Sequence, residues 1–111
     1  MRIYDIPLRE LCDNHLLGEH RELHAIYSVI ANNKKGYSKH PETLRWRNKL
    51  PALCARHGEQ MLEMSRRGWV HRSPLADTDM TGHQTVQDEL INTIDEQRKL
   101  LAGKPCQCPK R

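Results

Sequence analysis

The chain has no phenylalanine, and aromatic residues make up only 5% of its 111 positions. Leu, Ile and Met, with two Trp and three Tyr, must therefore fill the core. That is a thin set for the length, and it suits a surface given over to a polar or polyanionic partner. No segment approaches the roughly 20 apolar residues that cross a bilayer. The start, Met1-Arg2-Ile3-Tyr4-Asp5, lacks the apolar run of a signal peptide. A cytoplasmic protein with no membrane association is the expectation, and Cys12, Cys54, Cys106 and Cys108 are then reduced thiols. Cys106-x-Cys108 does not have the two-residue spacing of a zinc knuckle, so neither metal nor cofactor is expected. There is no glycine-rich phosphate loop, no HExxH and no serine elbow. Strand-period alternation and internal repeats are absent too, which leaves an all-α reading: a single compact three-helix domain over residues 1–111, with 103–111 as an irregular tail.

Three amphipathic stretches are present. The first follows Pro7 and runs to about Asn32, with Leu8, Leu11, Leu16, Leu23, Ile26, Tyr27 and Ile30 on its apolar side. The second spans about Lys49 to Arg67, with a stripe of Leu50, Leu53, Cys54, His57, Met61 and Met64, closed by Gly68. The third begins near Thr85 and ends before Gly103, with Val86, Leu90, Ile91, Ile94 and Leu101 as its stripe. Residues 34–48 between the first two read as a long loop with a short helical turn after Pro41.

Positive charge is concentrated in the middle. Residues 34–72 hold ten basic and three acidic side chains (+7), against −2 for residues 1–33 and −1 for 73–111. A block this cationic is the electrostatic footprint of a nucleic-acid partner, although a solvated basic face would look the same. Lys34, Lys35, Lys39, Arg45, Arg47 and Lys49 are its phosphate candidates, and Trp46 could stack on a base or sit in the core.

The first helix carries the oddest segment, His15-Leu-Leu-Gly-Glu-His-Arg-Glu-Leu-His24. At 100° per residue His15, Gly18, Glu19, Glu22 and Ile26 share one face. Carboxylates on an apolar face are costly unless paired or used, and a glycine in mid-helix costs about 1 kcal/mol relative to alanine. Spacing alone leaves three readings open: an amphipathic edge with i,i+4 pairs, a metal site from His15 with Glu19 or His20 with His24, or acid–base chemistry in a cleft.

Met1-Arg2-Ile3 followed by His15-Leu-x-x-Glu19-x-Arg21-Glu22-Leu23 resembles the phage endonuclease V family, the pyrimidine-dimer DNA glycosylases. Asn48-Lys49-Leu50 through Arg66-Arg67-Gly68-Trp69 is similar to that family's central helix, so the likeness covers about residues 1–70. The resemblance implies a helical domain whose N-terminal segment packs between helices. It also implies a glycosylase and abasic-site lyase in which the Met1 α-amine attacks deoxyribose C1′, forms an imine and cleaves the strand by β-elimination. Glu22 matches the essential carboxylate, Arg2 and Arg21 match phosphate contacts, His15 matches a histidine near the site, and Glu19 takes a supporting role, orienting Arg2 or the amine. The implied partner is double-stranded DNA with a damaged or modified base, met by a nucleoid-associated monomer. Two features depart from the family: Ala25 or Ile26 stands where a basic residue is expected one turn after Glu22, and Lys104-Pro105-Cys106-Gln107-Cys108 replaces an aromatic-rich tail. Abasic-strand cleavage is thus a firmer expectation than any one lesion. The competing expectation is a non-catalytic DNA-binding module of the same fold.

Overall fold

A computed structural model describes residues 3–32, 40–69, 75 and 80–102. It is all-α: a 3-10 turn at Leu8–Glu10 precedes α1 (Asp13–Ala31), α2 (Pro41–Trp46), α3 (Leu50–Arg66) and α4 (Ile94–Ala102). No strand occurs among the described residues. The helical turn expected after Pro41 is α2, so the α-helices among the described residues number four rather than three. The tail expected at 103–111 lies outside the described residues, as do Cys106 and Cys108.

The expected first helix is broken. Leu11 and Cys12 adopt extended backbone, with ψ of 137° and 169°, between the 3-10 turn and α1. The corner this creates exposes carbonyls that a continuous helix would bond internally, and one cation takes them. Arg67, at the end of α3, donates to Leu8 O (3.1 Å) and Leu11 O (2.6 Å) and pairs with Asp13 at 2.9 Å. With the corner tied down, Leu8, Leu11 and Leu16 all reach one core cluster beside Tyr4, Met64 and Leu101. Gly68 closes α3 at φ +82°, the left-handed conformation that suits glycine at a helix end.

The start of α2 is capped by His40, whose Nδ1 accepts from the Glu42 amide at 3.2 Å, with Pro41 in the first turn. α1 packs against α3 and α2 around a second cluster formed by Ile3, Leu23, Ile26, Tyr27, Trp46, Leu50, Ala52 and Leu53. The apolar stripes expected for α1 and α3 are divided between these two clusters, with Ile30 and Cys54 partly buried against the second, and only Met61 is exposed.

α4 is shorter than its sequence pattern suggests. Residues 85–93 are not helical, and Val86, Leu90 and Ile91 face solvent at 66%, 46% and 49% exposure. Their segment is bonded instead to the α2–α3 corner. Gln87 donates to Arg45 O (2.8 Å) and accepts from Lys49 Nζ (2.8 Å), while Glu89 O accepts from Arg45 Nη1 (3.0 Å). The helix then starts at a capping box that the sequence does contain: Thr93 Oγ1 accepts from the Glu96 amide, and Glu96 Oε1 accepts from the Thr93 amide.

Candidate active site

Residues 3–6 have no regular secondary structure and pass through the middle of the helices, with no strand beside them among the described residues. Buried amides and carbonyls must still be bonded, and here side chains from all four helices do it. The Ile3 amide donates to Glu42 Oε1 (3.2 Å) on α2, the Tyr4 amide to Glu19 Oε1 (2.8 Å) on α1, and the Asp5 amide to Gln97 Oε1 (2.8 Å) on α4. Ile3 O accepts from Arg45 Nη2 (2.8 Å) on α2, and Ile6 O from Arg56 Nη2 (3.1 Å) on α3. The N-terminal segment therefore packs between helices, as expected.

Glu19 is the hub. It is fully buried, and besides the Tyr4 amide it accepts from Arg56 Nε (2.9 Å), Arg56 Nη2 (3.1 Å) and Gln60 Nε2 (2.7 Å). Burying a carboxylate away from water is costly unless its lone pairs are met by a cation and further donors, and this one has both. Glu22 lies one turn further along α1 on the same side and is half-buried. Tyr4 belongs to the cluster with Leu16, whereas Ile3 belongs to the one with Leu23 and Ile26. The segment thus joins the two core clusters, with Tyr4 in one and Ile3 in the other.

His15 is half-buried two turns before Glu22, about 10 Å along the axis. Its Nδ1 lies 3.2 Å from Cys12 Sγ, and its ring meets Tyr4 edge-on with centroids 6.1 Å apart. Arg21 is exposed beside Glu22 on the neighbouring strip of α1. Met1 and Arg2, and the basic residues Lys34, Lys35 and Lys39, lie outside the described residues.

The remaining expected DNA contacts need correction. Arg45 is buried, paired with Asp5 (2.8 Å) and Glu42 (2.8 Å). Burial pulls its guanidinium down, but hydrogen bonds and attraction from Glu42 and Asp5 outweigh that and hold it above the ordinary arginine range. Its donors are taken up inside the protein, so it is a structural arginine and not a phosphate contact. Lys49 is likewise buried, with Nζ on Gln87 and 3.0 Å from Glu89. Trp46 is a core residue at 3% exposure, in cation–π contact with Arg45 at 5.0 Å, and cannot stack on a base. Arg47 alone of this group is exposed.

The residues that sequence reasoning missed are the ones that hold the N-terminal segment: Asp5, Glu42, Arg56, Gln60 and Gln97. One signal was available. Arg56 and Gln60 are a helical turn apart on the buried side of α3, between the apolar positions Leu53 and Met64, where a polar side chain needs a partner.

No helix among the described residues is long and apolar enough to cross a membrane. No curated protein and no solved structure matches the chain. The family model described as pyrimidine dimer DNA glycosylase matches residues 1–77, which include the whole N-terminal segment and α1 to α3. The chain therefore belongs to the pyrimidine dimer DNA glycosylase family, the DNA repair enzymes that the motif around Glu22 resembles.

Proposed function

We propose that the protein is a DNA glycosylase with abasic-site lyase activity, that residues 1–111 form one such domain, and that the α-amine of Met1 is its nucleophile. The observation that carries this reading is the fixing of Ile3 by Glu42 and of Tyr4 by Glu19, because Met1, the proposed nucleophile, is only two residues from Ile3. Two residues span at most about 7 Å, so the amine is tethered within that distance of Ile3, and the proposed chemistry requires it to meet Glu22 there. An α-amine has a reference pKa of about 7.7–8.0 against about 10.4 for lysine, and a useful fraction is the free base near neutrality.

In the proposed reaction the amine nitrogen forms a bond to deoxyribose C1′ as the C1′–N bond to the damaged base breaks, and the base leaves with a proton. Loss of the ring oxygen as a leaving group gives the imine, whose cationic nitrogen acidifies C2′. Removal of a C2′ proton then expels the 3′ phosphate by β-elimination. Glu22 stabilises the positive charge at C1′ and moves the protons. Arg2, Arg21, Arg47, Lys34, Lys35 and Lys39 face the phosphates of duplex DNA carrying a pyrimidine dimer or another damaged base, which is extruded from the stack. His15 and Glu19 support the site from α1.

Borohydride reduction during reaction with abasic and ultraviolet-irradiated duplex tests the amine. A covalent protein–DNA adduct is expected whose attachment maps by mass spectrometry to Met1, and acetylation of the terminus should abolish it. An adduct that forms equally with a blocked terminus would transfer the role to a lysine. For the interface, Arg47→Ala is expected to weaken duplex binding and reduce the slope of log K against log salt by about 0.9, one phosphate contact. An unchanged slope would remove Arg47 from the interface.

A further inference from the structure

Three imidazoles meet on the seam between α1 and α3. His20 and His24 are one turn apart on α1, and His57 faces them from α3. Ring centroids are 4.5 Å apart for His20–His24, 5.0 Å for His20–His57 and 5.1 Å for His24–His57. One nitrogen of each lies within 4.8 Å of the others, and His24 Nε2 is 3.1 Å from His20 Nε2.

The proton on His20 can be assigned from its neighbours. Glu19 accepts from Gln60 Nε2 at 2.7 Å, which turns Gln60 Oε1 towards His20 Nδ1 at 2.9 Å. An amide oxygen only accepts, so Nδ1 donates, and the neutral ring carries its lone pair on Nε2, the side that faces His24. This is the outer-shell arrangement of a metal-ligating histidine: one ring N–H held by an acceptor, the other nitrogen presented with its lone pair.

We propose that His20, His24 and His57 bind one divalent transition-metal ion of the zinc class, with water as fourth ligand on the half-exposed side of His24. Zinc–nitrogen bonds of about 2.0–2.1 Å set neighbouring nitrogens of a tetrahedron roughly 3.3 Å apart. The His20–His24 edge is already near that spacing at 3.1 Å, and side-chain rotation of order 1 Å brings in His57. A ligand set of imidazoles without a carboxylate selects zinc-like ions over magnesium or calcium. The ion clips α1 to α3, and it takes no part in imine formation. It also braces the N-terminal segment, because Gln60, which orients His20, shares Glu19 with the Tyr4 amide. Of these three, helical spacing alone pairs only His20 with His24; the third ligand comes from a position that reads as part of the apolar stripe of α3.

The test uses the full chain with Cys106→Ser and Cys108→Ser, so that the tail thiols do not compete, stripped with a chelator and titrated with CoCl2 and then ZnCl2. The expected result is one equivalent bound, the strong visible absorption of four-coordinate cobalt, its loss on zinc addition, and a Tm rise on the order of 10 °C at a hundredfold excess over Kd. His24→Gln and His57→Gln should each weaken binding at least tenfold and remove the cobalt signal, with helical circular dichroism confirming that both variants are folded. His24 is half-exposed, so its variant keeps the test decisive if His57→Gln unfolds. Substoichiometric uptake with no Tm change, or variants that bind as tightly as the parent, would overturn the site. Borohydride trapping is a separate readout, so the loss of either result leaves the other standing.

Discussion

Glu22→Gln is expected to lower the single-turnover rate of base release by about 100- to 10,000-fold, the range over which a positioned acid–base group contributes. The substitution keeps size and hydrogen-bonding capacity but removes the negative charge, and the charge is what a sugar carbon turning positive requires. Glu22 is half-buried on a helix whose packing face is supplied by Leu16, Leu23 and Ile26, so the apolar packing of α1 does not run through it. Duplex affinity should therefore stay within about threefold, and thermal stability within about 1 kcal/mol, as for other substitutions outside the core. A variant that loses binding and activity in equal measure would make Glu22 a structural residue and leave the reaction without its carboxylate.

The second large effect is on stability. Glu19→Ala strips one fully buried carboxylate from the Tyr4 amide, two Arg56 donors and Gln60 at once. The guanidinium of Arg56 is then left buried at 8% exposure with only the exposed Glu59, 3.9 Å away, as a counter-charge. Breaking a buried pair from one side costs about 3–5 kcal/mol, and the urea midpoint should fall accordingly. Replacing both partners by apolar residues removes the stranded charge, so Glu19→Leu with Arg56→Met should recover much of the stability. It should not recover activity, because the Tyr4 amide still lacks its acceptor and the segment leading to the amine loses its anchor. A single-variant loss below about 1 kcal/mol would mean that water replaces the carboxylate, and the buried hub would be wrong.

These two residues also mark how far the sequence can be read. Both carboxylates are visible in it as acids on an apolar helix face, and the need of Glu19 for a partner follows from burial alone. Its partner does not: Arg56 is 37 positions away and is brought there only by the packing of α1 on α3. The same distance explains the misreading of Arg45 and Lys49. Charge says that a cation wants an anion, not whether the anion is a phosphate or a carboxylate, and the anions of Arg45 turned out to be Glu42, one turn back, and Asp5, 40 positions away. Helix periodicity located α1 and α3 because local hydrophobic spacing decides them. It failed at residues 85–93, where Val86, Leu90 and Ile91 have helical spacing, but long-range bonds from Gln87 and Glu89 to α2 and the start of α3 dictate the backbone. The α4 start was legible after all, in the Thr93–Glu96 capping box rather than in the apolar pattern.

The backbone of residues 3–6 has one further consequence. Its bonds come from all four helices, two of them from α2, so the helices cannot shift against one another without moving the segment. A tilt of α4, transmitted through Gln97 and the Asp5 amide, acts on the same short lever as a tilt of α1. The aim of the proposed nucleophile is thus a property of the entire assembly, and lesions in the protein far from any DNA should register first as misdirected chemistry and only later as unfolding.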